Sequence, residues 1–579
     1  MKKSMRVCSH PLKLFLMSTV LWIGLSGCAD QPTGADLVLT NGKIITVDET
    51  LPEAAALAVR NGRISAVGSV EEIAASIGQN TRVIDLQGRL AIPGFIESHA
   101  HARKLGMLKM SLDLSHIRSW EEMVALVREA AANQPPGSWI FGRGWHQEKW
   151  EDLDVPTVQG FPYHHDLSAA APDHPVWLRS ANGHAAYANA RAMELAGVIR
   201  ETPDPPGGVI VRDAQGEAVG VFLENAEDLI SAAKATFDRD RSPEAVKAEE
   251  LRMIREAEDE CLRKGITSFQ DAGSTFETID LFKELAESGK LRVRFWIMIG
   301  DSLERIRQRG KEYRMINVGG NHFLTVRAIK QYIDGALGSR GAWLLAPYSD
   351  QPHTSGLNTV PLEELRATAE LAMDYQLQLC VHAIGDRGNR EMLDIYAEVF
   401  RAHPEQSGLR WRIEHAQHLD PADIPRFAEL DLIASMQGVH CTSDGPWVPK
   451  RIGEERAEAG AYVWRKLLEA GVVIANGTDA PVEDVDPLAN FYSSVTRRMS
   501  DGRQFYSGQV MTREEALRTY TVNAAYAAFE EDIKGSLTPG KLADITVLSR
   551  DIMSVPAEEI PGTEVVYTIV GGKVAYQKE

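Results

Sequence analysis

At 579 residues the chain exceeds a single ordinary domain, and its 44% apolar content is enough for large buried cores. A formal net charge of −19, with no block of Lys and Arg, argues against a nucleic-acid partner, because phosphate binding needs clustered cations.

The N-terminus reads as a leader. Lys2, Lys3, Arg6 and Lys13 precede an apolar run at 14–27 that closes on Leu25-Ser26-Gly27-Cys28. A basic segment, a short apolar segment and small residues before a cut describe a secretory signal. Leu-Ser-Gly-Cys also resembles a bacterial lipobox, which makes Cys28 the expected lipidated first residue of an exported, membrane-anchored protein facing the periplasm or exterior. Residues 29–35 then serve as a short tether. Cys261, Cys380 and Cys441, an odd set in or beside apolar runs, read as buried thiols without a disulfide framework.

Residues 36–90 read as short strands broken by turns at Asn41-Gly42 and Asn61-Gly62. The run 90–98 is a longer strand that ends in Glu-Ser-His-Ala-His, with His99 and His101 two apart. In an extended strand both rings project to one face and can share a divalent transition metal. Residues 103–240 are too long for a simple connection and read as an inserted subdomain over the mouth of the fold. Its Trp145, Gln147 and Trp150 are expected to shape a substrate pocket, or else to pack the insertion itself.

From residue 265 onward a rhythm sets in: a short apolar run, a polar residue at its C-terminal end, then a helical segment. The runs are 265–273, 291–299, 326–334, 377–384, 410–417, 432–440 and 472–480, and 90–98 makes eight. Amphipathic stretches at 275–289, 361–376, 388–402 and 461–470 lie between them. Strands alternating with helices at this spacing predict a parallel sheet, and eight units favour a closed (β/α)8 barrel in the α/β class. No Gly-x-Gly-x-x-Gly follows the first strand. Chemistry in such barrels sits at the C-terminal strand ends, where this sequence places His99, His101, Lys330, Asp334, His382, His415 and Asp479. Residues 536–578 again read as short strands, and with 36–90 they suit one composite β-sandwich.

The His-x-His pair, the strand-four Lys, two further His and a final Asp resemble the amidohydrolase superfamily. The segments 181–198 (ANGHAAYANARAMELAGV), 334–343 (DGALGSRGAW), 381–389 (VHAIGDRGN), 412–417 (RIEHAQ) and 477–488 (GTDAPVEDVDPL) are similar to its amidohydrolase-3, YtcJ-like branch, which includes N-substituted formamide deformylases. The resemblance spans roughly residues 36–579. Gly438 stands where that branch often has Pro, and His146 where it often has Asp.

The resemblance implies a divalent metal cofactor, with Zn as the first expectation and two ions favoured over one. His99, His101 and Asp479 would hold the more buried ion and His382 and His415 the more exposed one. Lys330 would bridge them as a carbamate; a salt bridge to Asp334, or a one-metal site without a carbamate, are the alternatives. Asp479 would act as general base and acid for a metal-activated hydroxide. His184 and His440 are candidates for polarising the substrate carbonyl, and Asp334, Arg340 and Asp386 for orienting substrate or ligands. The implied reaction is hydrolysis of an amide-type C–N bond, an N-substituted formamide or N-acyl amine first. Cyclic amides or esters, a lyase or isomerase reaction, and a catalytically silent binding lipoprotein are the alternatives. The expected partner is a small diffusible molecule, with membrane contact through the N-terminal lipid only and a homodimer as the assembly kept open.

Overall fold

A computed structural model describes residues 34–146, 150, 155–180 and 185–579. Cys28, Gln147 and His184 lie outside the described residues.

Strands from both chain ends form two packed sheets. Leu37–Thr40, Ala56–Arg60, Arg63–Gly68 and Arg82–Asp85 make one, and Ile545–Leu548, Val565–Val570 and Lys573–Gln577 join Lys43–Ile45, Glu53–Ala54 and Leu90–Pro93 in the other. Leu39, Ile44, Leu57, Val59, Ile545 and Val547 fill the space between them, as facing sheets require. Asn61 and Gly62 both adopt positive φ (51° and 73°), so the Asn-Gly pair closes the hairpin between Ala56–Arg60 and Arg63–Gly68. At Asn41-Gly42 the flanking strands instead enter different sheets.

The central sheet has eight parallel strands and is nearly closed into a barrel. In chain order they are Phe95–Ala100, Ile266–Ser274, Arg294–Ile299, Leu324–Tyr332, Gln378–Ala383, Arg412–His415, Ile433–Met436 and Val473–Asn476. The run 90–98 is divided. Leu90–Pro93 belongs to the sandwich and Phe95–Ala100 to the barrel, with Gly94 between them, where an added Cβ would meet Thr267 at 2.3 Å. The run 432–440 stops at Met436, and a helix at Gly438–Asp444 takes over. The first and last strands meet through Ser98, whose hydroxyl donates to the carbonyl of Asn476 (2.5 Å).

Between the first two barrel strands the chain builds a separate α/β unit. Its six-stranded sheet runs from Gly208–Arg212 through Ala218–Glu224, Ala185–Ala188, Val176–Ser180 and Ile140–Trp145 to Leu112–Asp113. The unit has its own core around Trp120, Trp145, Tyr187, Leu167 and Val221. A long helix, Pro243–Arg263, returns the chain to the barrel, opened by Ser242 as N-cap with Pro at the first position.

Candidate metal centre

Glu97 and His99 alternate along the first strand, and His101, still extended just past its end, continues the same alternation. All three meet the loop after the eighth strand. The Glu97 carboxylate accepts from the backbone N–H of Thr478 (2.9 Å), from the Thr478 hydroxyl (2.9 Å) and from the N–H of His99 (3.0 Å). The Asp479 N–H donates to the His99 carbonyl (2.7 Å), and the His101 N–H to the Ala480 carbonyl (2.8 Å). Gly477 is needed at this seam, because an added Cβ would lie 2.3 Å from the Glu97 carboxylate and 2.5 Å from the His99 nitrogen. Asp479 itself has φ 57° and His415 φ 75°, left-handed conformations that cost a side-chain-bearing residue free energy and cluster at functional sites.

The clamp brings three ligand atoms together. His101 Nε2 lies 3.3 Å and His99 Nε2 3.5 Å from Asp479 Oδ1, and the three groups offer donor atoms within 4.8 Å of one another. The His415 ring is centred 4.8 Å from His99 and 4.5 Å from His382. His440, one helical turn beyond the seventh strand, stacks against His415 at 6.2 Å and 13°.

Partners behind the rings fix their tautomers. His99 Nδ1 faces Glu414 at 2.5 Å and His415 Nδ1 faces the Gln437 side-chain oxygen at 2.7 Å. Both Nδ1 atoms therefore carry the hydrogen and both Nε2 atoms turn a lone pair to the centre, the arrangement expected of metal-bound imidazoles. Burial opposes charge on Glu414, yet His99 beside it holds the carboxyl down to about 2. Burial would likewise raise Asp479, but the His101 and His99 imidazoles beside it hold it well below the usual carboxylate range. Burial and the nearby Lys330 lower His382 to about 3, so its ring is neutral and able to donate a lone pair.

The donor set fits a cation. His99 Nε2, His382 Nε2, His440 Nε2 and Lys330 Nζ are buried with no hydrogen-bond partner among the described residues. Leaving one such group unsatisfied costs about 1–3 kcal/mol; of the four, His99 Nε2 belongs to the group with His101 and Asp479, and His382 Nε2 lies 3.6 Å from Asp334 Oδ1. Lys330 is 2% exposed, and its Nζ lies 4.2 Å from the centroid of the Tyr332 ring.

Other expected contacts fall elsewhere. Asp334 is not paired with Lys330: it lies beyond the fourth strand and accepts the backbone N–H groups of Gly385 (2.8 Å), Trp343 (2.9 Å) and Ile384 (3.0 Å). Its oxygens are spent joining two loops rather than facing a substrate. Arg340 is taken by Asp350 in a two-point ion pair (2.8 and 3.2 Å). Asp386 accepts from Leu345 N–H (2.8 Å) at the start of its helix. Trp145 is fully buried inside the insertion, donating to the Leu178 carbonyl (2.8 Å) and packed against Trp150 and Tyr187. Sequence reasoning missed Glu97, Glu414 and Gln437. The signal for the two acids was present: Glu97 stands two residues before His99 on the same face, and Glu414 directly precedes His415 in an apolar run.

A model of the amidohydrolase family matches residues 82–576. The chain is 32% identical to YtcJ of Bacillus subtilis (strain 168), a protein classed with the amidohydrolases, over 93% of this chain and 98% of that one. It is 28% identical to the N-substituted formamide deformylase of Arthrobacter pascens, over 94% of this chain and 98% of that one. An uncharacterised metal-dependent hydrolase from Pyrococcus horikoshii OT3 superposes with a TM-score of 0.69 at 27% identity, covering 90% of this chain and 99% of the other.

Proposed function

The chain belongs to the amidohydrolase family, and we propose that it hydrolyses an amide-type C–N bond, with an N-substituted formamide or N-acyl amine as substrate. The observation that carries this reading is the group His99, His101 and Asp479, near imidazole nitrogens that have no hydrogen-bond partner among the described residues. The deformylase relative supports the choice of substrate class.

In this reading His99, His101 and Asp479 would hold one divalent ion, Zn first, and His382 and His415 a second. Lys330 would add an anionic ligand as a carbamate: its ammonium would lose one proton to give the free amine, and forming the N–C bond to CO2 would release a second. A metal bound here lowers the pKa of water and polarises a carbonyl. Asp479, ionised by its two imidazole neighbours, takes the proton of the attacking water and returns it to the leaving nitrogen. His440, on the helix beside His415, is placed to hydrogen-bond the substrate oxygen, a role shared with His184. Glu414 and Gln437 hold the two rings in their tautomers. We place the protein outside the cytoplasm, tethered by a lipid on Cys28, with small diffusible substrates.

The test is turnover by the full chain, loaded with Zn or Mn, of N-formyl amines, N-acyl amines, cyclic amides and esters. Cleavage of the first two classes, abolished by a chelator and restored by metal, is expected. Bound metal with no turnover across the set would overturn the reading.

A further inference from the structure

The helix Gly438–Asp444 carries His440, yet its start is not capped by its own sequence. Gln437, at the N-cap, makes no side-chain bond to the helix; its side-chain oxygen meets His415 Nδ1 instead (2.7 Å). The first N–H groups of the helix are met from either side of Asp479 in the chain. Asn476, the last residue of the eighth strand, accepts from the Gly438 N–H on Oδ1 (3.0 Å). Asn490, on the helix Pro487–Thr496, accepts from the Val439 N–H on Oδ1 (2.7 Å). Ser494 ties the two together: its Oγ accepts from Asn476 Nδ2 (3.1 Å) and donates to the Asn490 carbonyl (2.8 Å). All three side chains are buried. Orphan N–H groups at a helix start need such acceptors, and side-chain oxygens are the usual ones.

Gly438 permits the close approach. An added Cβ would lie 2.5 Å from Ser494 Oγ and 2.9 Å from the Asn490 carbonyl oxygen. Proline at this position would lack the N–H that Asn476 receives. His415 is anchored through Gln437, so the contacts that place His440 are separate from those that place the ligand ring.

We propose that Asn490 is a positioning residue for His440, and that residues 476–490 hold Asp479 and His440 in one frame. This rests on the roles given above to Asp479 as the base and to His440 as the group that meets the substrate oxygen. Asn476 leads into the Asp479 loop and Asn490 follows it, so the segment that carries the base also fixes the helix that carries His440. Without the Asn490 acceptor the first turn of that helix loosens, while the Gln437–His415 contact stays. A displacement of about 1 Å at a reacting group costs on the order of a hundredfold in rate.

The test is a double-mutant cycle on the metal-loaded full chain, read with the N-formyl or N-acyl amine that the parent cleaves fastest. Asn490→Leu keeps the volume and removes the acceptor. It should lower kcat about tenfold to a hundredfold, with KM and metal content within about twofold of the parent. Asn490→Asp, which restores an acceptor oxygen, should recover most of the loss. Combined with His440→Ala, Asn490→Leu should add nothing further, because its effect passes through His440. If Asn490→Leu does not fold, Gly438→Ala, which pushes the helix off Ser494, takes its place in the cycle.

Losses that multiply in the double variant, or that follow lost metal, overturn the proposal. Parental turnover in His440→Ala overturns it too, but leaves the hydrolase reading standing. No turnover by the parent sinks that reading instead, and the crystal structure of the Asn490→Leu or Gly438→Ala variant then decides. A His440 ring displaced by about 1 Å or more, with His99 and His415 unmoved, supports the frame; a parental position overturns it.

Discussion

The backbone N–H of Asp479 donates to the backbone carbonyl of His99 at 2.7 Å, so the ligand from the last barrel strand is hung directly on the ligand from the first. The positions of these two side chains are therefore coupled through main chain, before any metal arrives. Glu97 doubles the link through Thr478. The site is rigid because it is the seam that closes the barrel.

Asp479→Asn keeps the shape of the side chain but removes the base. Turnover should fall by about two to four orders of magnitude, the usual worth of a positioned general base, while the fold and part of the metal remain. Steady-state kinetics beside metal analysis and circular dichroism check this. Near-normal kcat with metal bound would remove Asp479 from the proton-transfer role.

Glu414→Gln addresses the group behind His99. The amide oxygen accepts from Nδ1 but carries no charge, so the ring becomes a poorer donor at Nε2. Metal affinity should drop by about 10–100-fold, the typical effect of losing such an outer partner. Competition against a calibrated chelator measures it. Affinity unchanged within twofold would show that the short Glu414–His99 contact only fills space.

Gly477→Ala probes the seam itself. A methyl group there must displace the Glu97 carboxylate or the His99 backbone, at 2.3 and 2.5 Å. Overpacking of this kind costs about 1–3 kcal/mol, and here the strain falls on a ligand-bearing strand. The thermal midpoint should fall and metal should dissociate faster than from the parent protein. A variant with parental midpoint and metal content would mean that the first strand has slack at Glu97.

How much of this was legible in the sequence follows from the range of the interactions. The His99/His101 parity is local, and the structure repeats it. The eight strands are legible because each is a short apolar run ended by a polar residue. Helix onset at Gly438 is harder to read: Gln437-Gly438 interrupts the run 432–440 but does not by itself announce a helix, and so His440 moves from a strand end to a helix. Gly94 divides an apparently continuous run because Thr267, far along the chain, occupies the space a side chain would need. Trp145 reads equally as pocket wall or core until its neighbours Trp150 and Tyr187 are known. Asp334 and Arg340 have charge patterns that suit a site, yet loops that approach only in three dimensions consume them.

Lys330 gives the sharpest division between the metal-free and loaded states. Its Nζ is buried with no hydrogen-bond acceptor among the described residues, so without metal and CO2 its desolvation is offset only by the Tyr332 ring and the field of Glu414. Lys330→Met removes that group and keeps most of the stem. In the metal-free protein the variant should be as stable as the parent or more so, by about 1–4 kcal/mol, as when buried ionic groups give way to apolar ones of similar volume. In the loaded protein the order should reverse: the variant should hold less metal per chain and lose most of its activity. Thermal unfolding with and without metal, together with metal content, reads both halves. A variant that is less stable than the parent in both states would assign Lys330 to packing rather than to the centre.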